Sequence, residues 1–303
     1  MTRLLVCSDR IGAADPPAAA RAIATAFHEA AGERVQLAVV PLAADGPDLR
    51  ASLAALGAEG EWVADRDARR LGRLVAVALE GRPKRLYADL SALAPQGTRA
   101  AFELLAGLGV DETLPQAARL PSGAAIVGVL PADQDADRLL GAEGVAARHG
   151  FAAGLPADEA ARQGSELARL AAALSIADAP GLGGAGGAAL AIAAVGGRSA
   201  TGVRLCAEAA DLAATMRRAD LVVVGADTVT TGNFGGPVLI AVASLATDLG
   251  LPVVAVARSA SISTRELRRH GVEAVHVLEG GVAAPAASDI TAGCAAIART
   301  WTR

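Results

Sequence analysis

The feature that most constrains the fold is a regular alternation of two kinds of segment. Short runs rich in Val, Leu and Ile recur along the chain, separated by longer Ala-rich stretches with apolar residues at helical spacing. This is the sequence form of βαβ units. The runs expected as strands are 3–7, 35–40, 85–88, 125–129, 221–224, 252–257 and 274–278, and the helices between them include 17–31, 48–56, 65–79, 97–108, 156–174 and 237–249. The strand runs are continuously apolar, which predicts a parallel sheet covered on both faces.

The flanking lengths at both chain ends suit a doubly wound, flavodoxin- or Rossmann-like α/β domain, while the middle is less regular. The expected organisation is therefore two domains. Residues 1–58 with 183–303 form the doubly wound parallel sheet, and 59–182 form an inserted α/β domain. A chain of 303 residues can bury a core in each.

Composition narrows the ligands. Aromatics are only 2% of the chain and the net charge is -4, so neither rings for base stacking nor a basic field favours nucleic acid. Cys7, Cys206 and Cys294 are widely separated and form no CxxC, which reads as reduced thiols in a cytoplasmic protein. No apolar run has the length and strength of a membrane span or a signal peptide. Lys84 is the one lysine, so any phosphate loop here must manage without that residue type.

Five strand runs are closely followed by an aspartate: Asp9, Asp45, Asp89, Asp133 and Asp227. In an open parallel sheet the ligand crevice lies outside the carboxyl ends of the strands. Asp9, Asp45 and Asp227 are thereby catalytic candidates for one cleft, as proton acceptors or, for Asp227, as a ligand of Mg²⁺. Each alone also reads as a helix cap.

Two loops are rich in glycine. Gly181, Gly183 and Gly186 show the spacing G-x-G-x-x-G, but a helical pattern precedes them where a dinucleotide fingerprint needs a strand. The second loop follows the run 221–224 and carries Gly225, Thr228, Thr230, Thr231, Gly232, Asn233, Gly235 and Gly236 before Pro237, a residue suited to a first helical turn. Backbone N–H groups at such a helix start can bind an anion. The four histidines, His28, His149, His270 and His276, are scattered, and no G-x-S-x-G elbow accompanies them.

These stretches resemble, in order, the type I glycerate kinase family. "RLLVCSDRIGAADPPAAARAIATAF" is similar to its opening strand, loop and helix, and "VVPLAADGPDLRASLAAL" to its Pro-x-Ala-Asp-Gly segment. "PGLGGAGGAALAIAAVGGR" resembles its Gly-Ala-rich stretch, and "ADLVVVGADTVTTGNFGGPVLIAVASLATDLGLPVVAVA" its late strand, loop, helix and strand. The resemblance implies phosphorylation of glycerate or a similar small hydroxy acid, with ATP and Mg²⁺ as cofactors. It would place phosphates near Gly183, Gly184, Gly186, Gly187, Gly225, Thr228 and Gly236. Along the late loop the family's Glu, Asp, Gln and Lys fall on Ala226, Thr230, Gly232 and Pro237. The alternative is an inactive homologue that binds a small molecule or a protein partner through a cleft between its domains. A homodimer is a further expectation.

Overall fold

The computed structural model describes residues 1–95, 97–110 and 123–302. The chain divides into two compact units, Met1–Ala58 with Gly202–Arg303, and Glu59–Thr201.

In the first unit the N-terminal segment forms β1 (Thr2–Ser8), α1 (Pro16–Ala31), β2 (Val35–Pro41) and α2 (Gly46–Ala55). The C-terminal segment adds α8 (Gly202–Ala209), α9 (Leu212–Met216), β7 (Leu221–Thr230), α10 (Gly236–Asp248), β8 (Val253–Ser261), α11 (Thr264–Arg269), β9 (Ala274–Val277) and α12 (Ala287–Trp301). The five strands are all parallel and run in the order β2-β1-β7-β8-β9. Numbered within the unit this is the flavodoxin-type order 2-1-3-4-5, whose switch point falls between β1 and β7. One face of the sheet carries Leu4, Val6, Val223, Val254 and Val256, which pack on Ile23 and Phe27 of α1 and on Ile290, Cys294 and Ile297 of α12. Helix α1 starts where its composition dictates: the Asp15 carboxylate accepts the Ala18 N–H at 2.8 Å and Pro16 occupies the first turn. Burial pushes the thiols of Cys7, Cys206 and Cys294 up to about 12, so they are inert at neutral pH.

The second unit contains β3 (Glu61–Ala64), α3 (Ala68–Glu80), β4 (Arg85–Asp89), α4 (Arg99–Gly107), β5 (Ala125–Leu130), α5 (Val145–Ala153), α6 (Ala157–Ala173), α7 (Ala188–Ala194) and β6 (Arg198–Thr201). Its parallel sheet has the order β3-β4-β5-β6. Leu71, Val75, Leu86, Leu104, Leu130, Leu190 and Ile192 belong to its core.

Two expectations change. Residues 183–201, assigned from sequence to the terminal domain, lie in the second unit because β6 pairs with β5 and the Thr201 N–H and hydroxyl both bond to Asp135. The stretch after Val224 is not yet a loop: β7 continues to Thr230, and Thr228, Val229 and Thr230 pair with Ser259, Ala260 and Ser261. The β-branched run Thr-Val-Thr carries that extension.

Candidate functional site

The carboxyl ends of β1, β7 and β8 and the start of α2 bring together a hydrogen-bonded set of polar side chains. Ser8 ends β1 fully buried, and its hydroxyl donates to the Asp9 carbonyl at 2.8 Å. The Asp9 N–H continues the ladder onto the Gly225 carbonyl at 3.0 Å, which fixes Asp9 at the switch point. Its carboxylate accepts the Arg10 N–H at 2.7 Å. Burial pushes the Asp9 carboxyl up to about 6; the Arg10 N–H opposes the rise, while Asp48 and Asp45 add to it by repulsion.

Asp45 precedes α2, where its backbone carbonyl accepts the Leu49 N–H, and its side chain does not cap the helix. Asp48, in the first turn of α2, forms a two-point pair with Arg10: Nε donates to Oδ2 at 2.7 Å and Nη2 to Oδ1. Sequence reasoning passed over Asp48, although it stands three residues after Asp45 in "ADGPDL" and hence over the same helix start.

Asp227 lies in β7, and the ladder between β7 and β8 skips Asp227 and Arg258, whose side chains meet instead. Arg258 donates to Asp227 from Nε and Nη2, each at 2.8 Å. The same carboxylate accepts the Gly12 N–H at 2.9 Å and the Thr228 hydroxyl at 3.2 Å. The Arg258 bonds hold the Asp227 carboxyl down to about 2. The Thr228 hydroxyl in turn accepts from Arg258 at 3.2 Å and from Ser259 at 3.3 Å.

All three catalytic candidates thus sit at one sheet edge, but in different states. Asp9 and Asp45 belong to a carboxylate group around β1 and α2. Asp227, expected as a metal ligand, has each oxygen engaged twice, so a cation there would have to displace a guanidinium. Among the described residues no three His, Cys, Asp or Glu side chains are placed to hold a metal ion. Mg²⁺ carried by a nucleotide needs only one or two protein carboxylates, and Asp9 and Asp45 have the hard oxygen chemistry for it.

The glycine loop after β7 is filled from within. Asn233 Oδ1 accepts the Thr230 N–H at 3.0 Å, the Thr230 hydroxyl at 3.1 Å and the Gly235 N–H at 3.1 Å, and the Asn233 carbonyl accepts the Gly236 N–H at 2.8 Å. Donors converging on one oxygen make a nest that suits an anionic oxygen, and here a side-chain carbonyl occupies it. Gly236, at φ +81°, opens α10 with nothing near its missing Cβ, whereas a Cβ on Gly225 would stand 2.1 Å from Ser8 Oγ. Packing against Ser8 of β1 and Ile23 of α1 is therefore enough to require glycine at position 225.

In the second unit the other glycine run is also tightly packed. A Cβ on Gly183 would meet the Arg138 carbonyl at 2.1 Å, one on Gly184 would meet Leu130 at 2.6 Å, and one on Gly187 would meet Leu139 at 3.3 Å. Gly186, at φ +68°, passes so close to Gly97 that its Cβ would stand 2.2 Å from that carbonyl. Residues 157–173 before the run are helical, so the spacing is not a dinucleotide fingerprint. Gly183 and Gly186 nonetheless line a cavity of about 400 Å³ with Ser91, Gln134, Arg148 and His149. Gln134 accepts the Ala185 N–H at 2.7 Å, and Arg148 pairs with Asp137 at 2.5 Å. Asp89 folds back onto Ser91, accepting its N–H at 3.1 Å and its hydroxyl at 2.6 Å.

A parallel sheet of flavodoxin-type order with a carboxylate group and two Arg–Asp forks at its carboxyl edge defines an α/β protein of the doubly wound class. The glycerate kinase family model matches residues 118–300, more than half of the chain, and the protein belongs to that family. A crystal structure of a protein provisionally assigned as glycerate kinase 2 from Salmonella typhimurium LT2 superposes with a TM-score of 0.59 at 19% identity, covering 99% of this chain and 97% of the other. That likeness establishes the shared fold. Uncharacterized proteins of Mycobacterium bovis and Mycobacterium tuberculosis are each 34% identical over 104 residues. The matched region is 34% of this chain and spans only 27% of either relative. No helix among the described residues is long and apolar enough to cross a membrane.

Proposed function

We propose that this chain acts on a small hydroxy acid, as its family name implies, with Asp9 as the group that receives the substrate hydroxyl proton. The observation that carries this reading is the Asp9 carboxyl itself: it directly follows the strand at the switch point, is only partly exposed, and has its pKa raised by burial to about 6. A general base works best when its pKa lies close to the operating pH. Asp45 stands beside it, and the pair is suited to a magnesium ion brought with a nucleotide. ATP with Mg²⁺ would supply the phosphoryl group. The chain's own part is to orient the hydroxyl at Asp9 and to hold the substrate carboxylate near Arg10 or Arg258, the cations of this edge.

A second reading is favoured by a specific observation. Both of those guanidiniums are already engaged by carboxylates, and the amide nest before α10 is already filled by Asn233. Phosphoryl transfer depends on cations that neutralise developing charge. On this reading the protein binds a small molecule or a partner without turnover. Calorimetric titration with Mg²⁺-ATP and then with D-glycerate, followed by a coupled ADP-release assay on the same sample, separates the two. Turnover that is lost in Asp9→Asn supports the first reading. Glycerate binding without ADP release supports the second, and absence of binding by either compound at millimolar concentration refutes the hydroxy-acid assignment.

A further inference from the structure

The first unit's sheet has two edges of different character. Strand β9 is short, Ala274–Val277, and is bracketed by Glu273 and Glu279, charges that discourage pairing with another strand. Strand β2, Val35–Pro41, is longer, carries no charged residue, and is paired on one side only, with β1. Its central residues Gln36, Leu37, Ala38 and Val39 are all at least partly exposed, and Val39 reaches 37%.

The direction of its hydrogen bonds follows from the register. The Leu42 N–H donates to the Ser8 carbonyl, so the even-numbered residues of β2 face β1 and the odd-numbered ones face outward. Among these the Val35 N–H is turned back onto the Gly32 carbonyl, and Pro41 has no N–H. What remains is a ladder segment of Leu37 and Val39, each offering an N–H and a C=O, with a terminator at either end.

We propose that this edge pairs antiparallel with β2 of a second copy of the chain, about a two-fold axis through Ala38, joining two five-stranded sheets into one. In that register Leu37 exchanges both backbone bonds with Val39 of the second copy, and Val39 does the same with Leu37. The terminators obey the same axis, because Pro41 then lies opposite Val35, where no bond is required. Ala38 faces its own counterpart at the non-hydrogen-bonded position, the closest approach in an antiparallel pair, and is the smallest residue of the strand. An arbitrary partner strand would not call for terminators related in this way; a copy of the same strand does.

The test is sedimentation velocity over roughly 1 to 200 µM, the range in which an interface at the small end of the stable class dissociates, together with cysteine cross-linking. The expected result is a concentration-dependent dimer. Ala38→Cys should oxidise to a covalent dimer, since its Cα is expected about 4.5 Å from that of its counterpart, within disulfide reach. Gln36→Cys should not, because its counterpart is displaced by roughly 13 Å along the strand. The native cysteines are buried and do not compete. Ala38→Lys, with like charges at the axis, should weaken the dimer at least tenfold while circular dichroism shows an unchanged fold. If that variant unfolds, Val39→Pro replaces it, as it removes an outward N–H at an exposed position and leaves the bonds to β1 intact. A monomer throughout the concentration range overturns the proposal. So does a dimer insensitive to these variants, or cross-linking at Gln36→Cys as fast as at Ala38→Cys.

Discussion

Asp9→Asn should make the protein more stable at neutral pH, and the size of the gain is set by the site. Burial raises the Asp9 carboxyl from 3.8 to about 6, a shift of about two units. At 1.36 kcal/mol per unit this is at most about 3 kcal/mol of strain carried by the ionised form. Solvent reaches the open end of the sheet, so about 1–3 kcal/mol is the working range. The folded state binds this proton more tightly than the unfolded chain does. The contribution is therefore fully present below pH 3.8 and is lost as pH rises through about 6. Asparagine keeps the shape of the protonated acid and cannot ionise. The stability difference between variant and wild type should grow from about a third of its full size at pH 4.5 to about 1–3 kcal/mol at pH 8. Urea unfolding in a Trp62→Phe background reads this in the correct unit, since Trp301 packs in the first unit against His276 and Trp62 stacks on Tyr87 in the second. Stabilisation bought at the expense of activity is the mark of a functional carboxylate. A variant that is less stable at pH 8, or offset by the same amount at both pH values, would refute the reasoning.

Three other outcomes are expected. Arg258→Met removes the fork on Asp227 and should lower stability slightly at pH 7, since the pair is solvent-screened; the pair's contribution is present above pH 3.8 and lost as pH falls toward about 2, so an acid-unfolding titration should show that window vanish in the variant. Gly225→Ala forces a methyl against Ser8 Oγ and should lower stability by about 1–3 kcal/mol, more than Gly236→Ala, where the space is open and only the backbone is strained; thermal midpoints decide between them. Asn233→Ala empties the nest and should speed hydrogen exchange at the Thr230 and Gly235 amides at least about tenfold, with the core strands unaffected.

The parts of this fold that were legible in sequence are those where one physical effect dominates. Buried parallel strands such as Leu221–Val224 announce themselves as unbroken apolar runs, and α1 by Asp15, Pro16 and its apolar stripe. Strands β3 and β6 were missed because "EWVA" and "RSAT" are four residues long and each opens on a charged residue; they exist through pairing with β4 and β5 and not through propensity. The same pairing draws residues 183–201 into the second unit. Asp9, Asp45 and Asp227 were placed at one sheet edge by the strand-end rule alone. Their partners were not, because Asp48 and Arg258 are recognised only once register brings β8 beside β7 and α2 beside the end of β1. Likewise glycine spacing does not distinguish a loop that approaches a ligand from one that approaches Ser8 or Arg138.

The pairing of charges at this edge sets the terms on which anything can bind. Each guanidinium is forked onto a carboxylate of a neighbouring element, so an anionic ligand gains attraction only by displacing Asp48 from Arg10 or Asp227 from Arg258. Arginine makes such an exchange costly, because its planar fork is matched at two points at once, where a lysine would offer a single mobile charge. A cation is drawn by the same carboxylates and needs no guanidinium to leave Asp9. As pH rises through about 6, Asp9 ionises beside Asp45 and Asp48, and the edge becomes steadily more receptive to divalent metal. An anionic ligand that enters together with a cation, screened by it and held at Asp9, is thereby favoured over the same anion alone. On the proposed reading, binding of a small hydroxy acid with Mg²⁺ present should strengthen between pH 5 and 7, whereas binding of the acid without metal should weaken over the same interval.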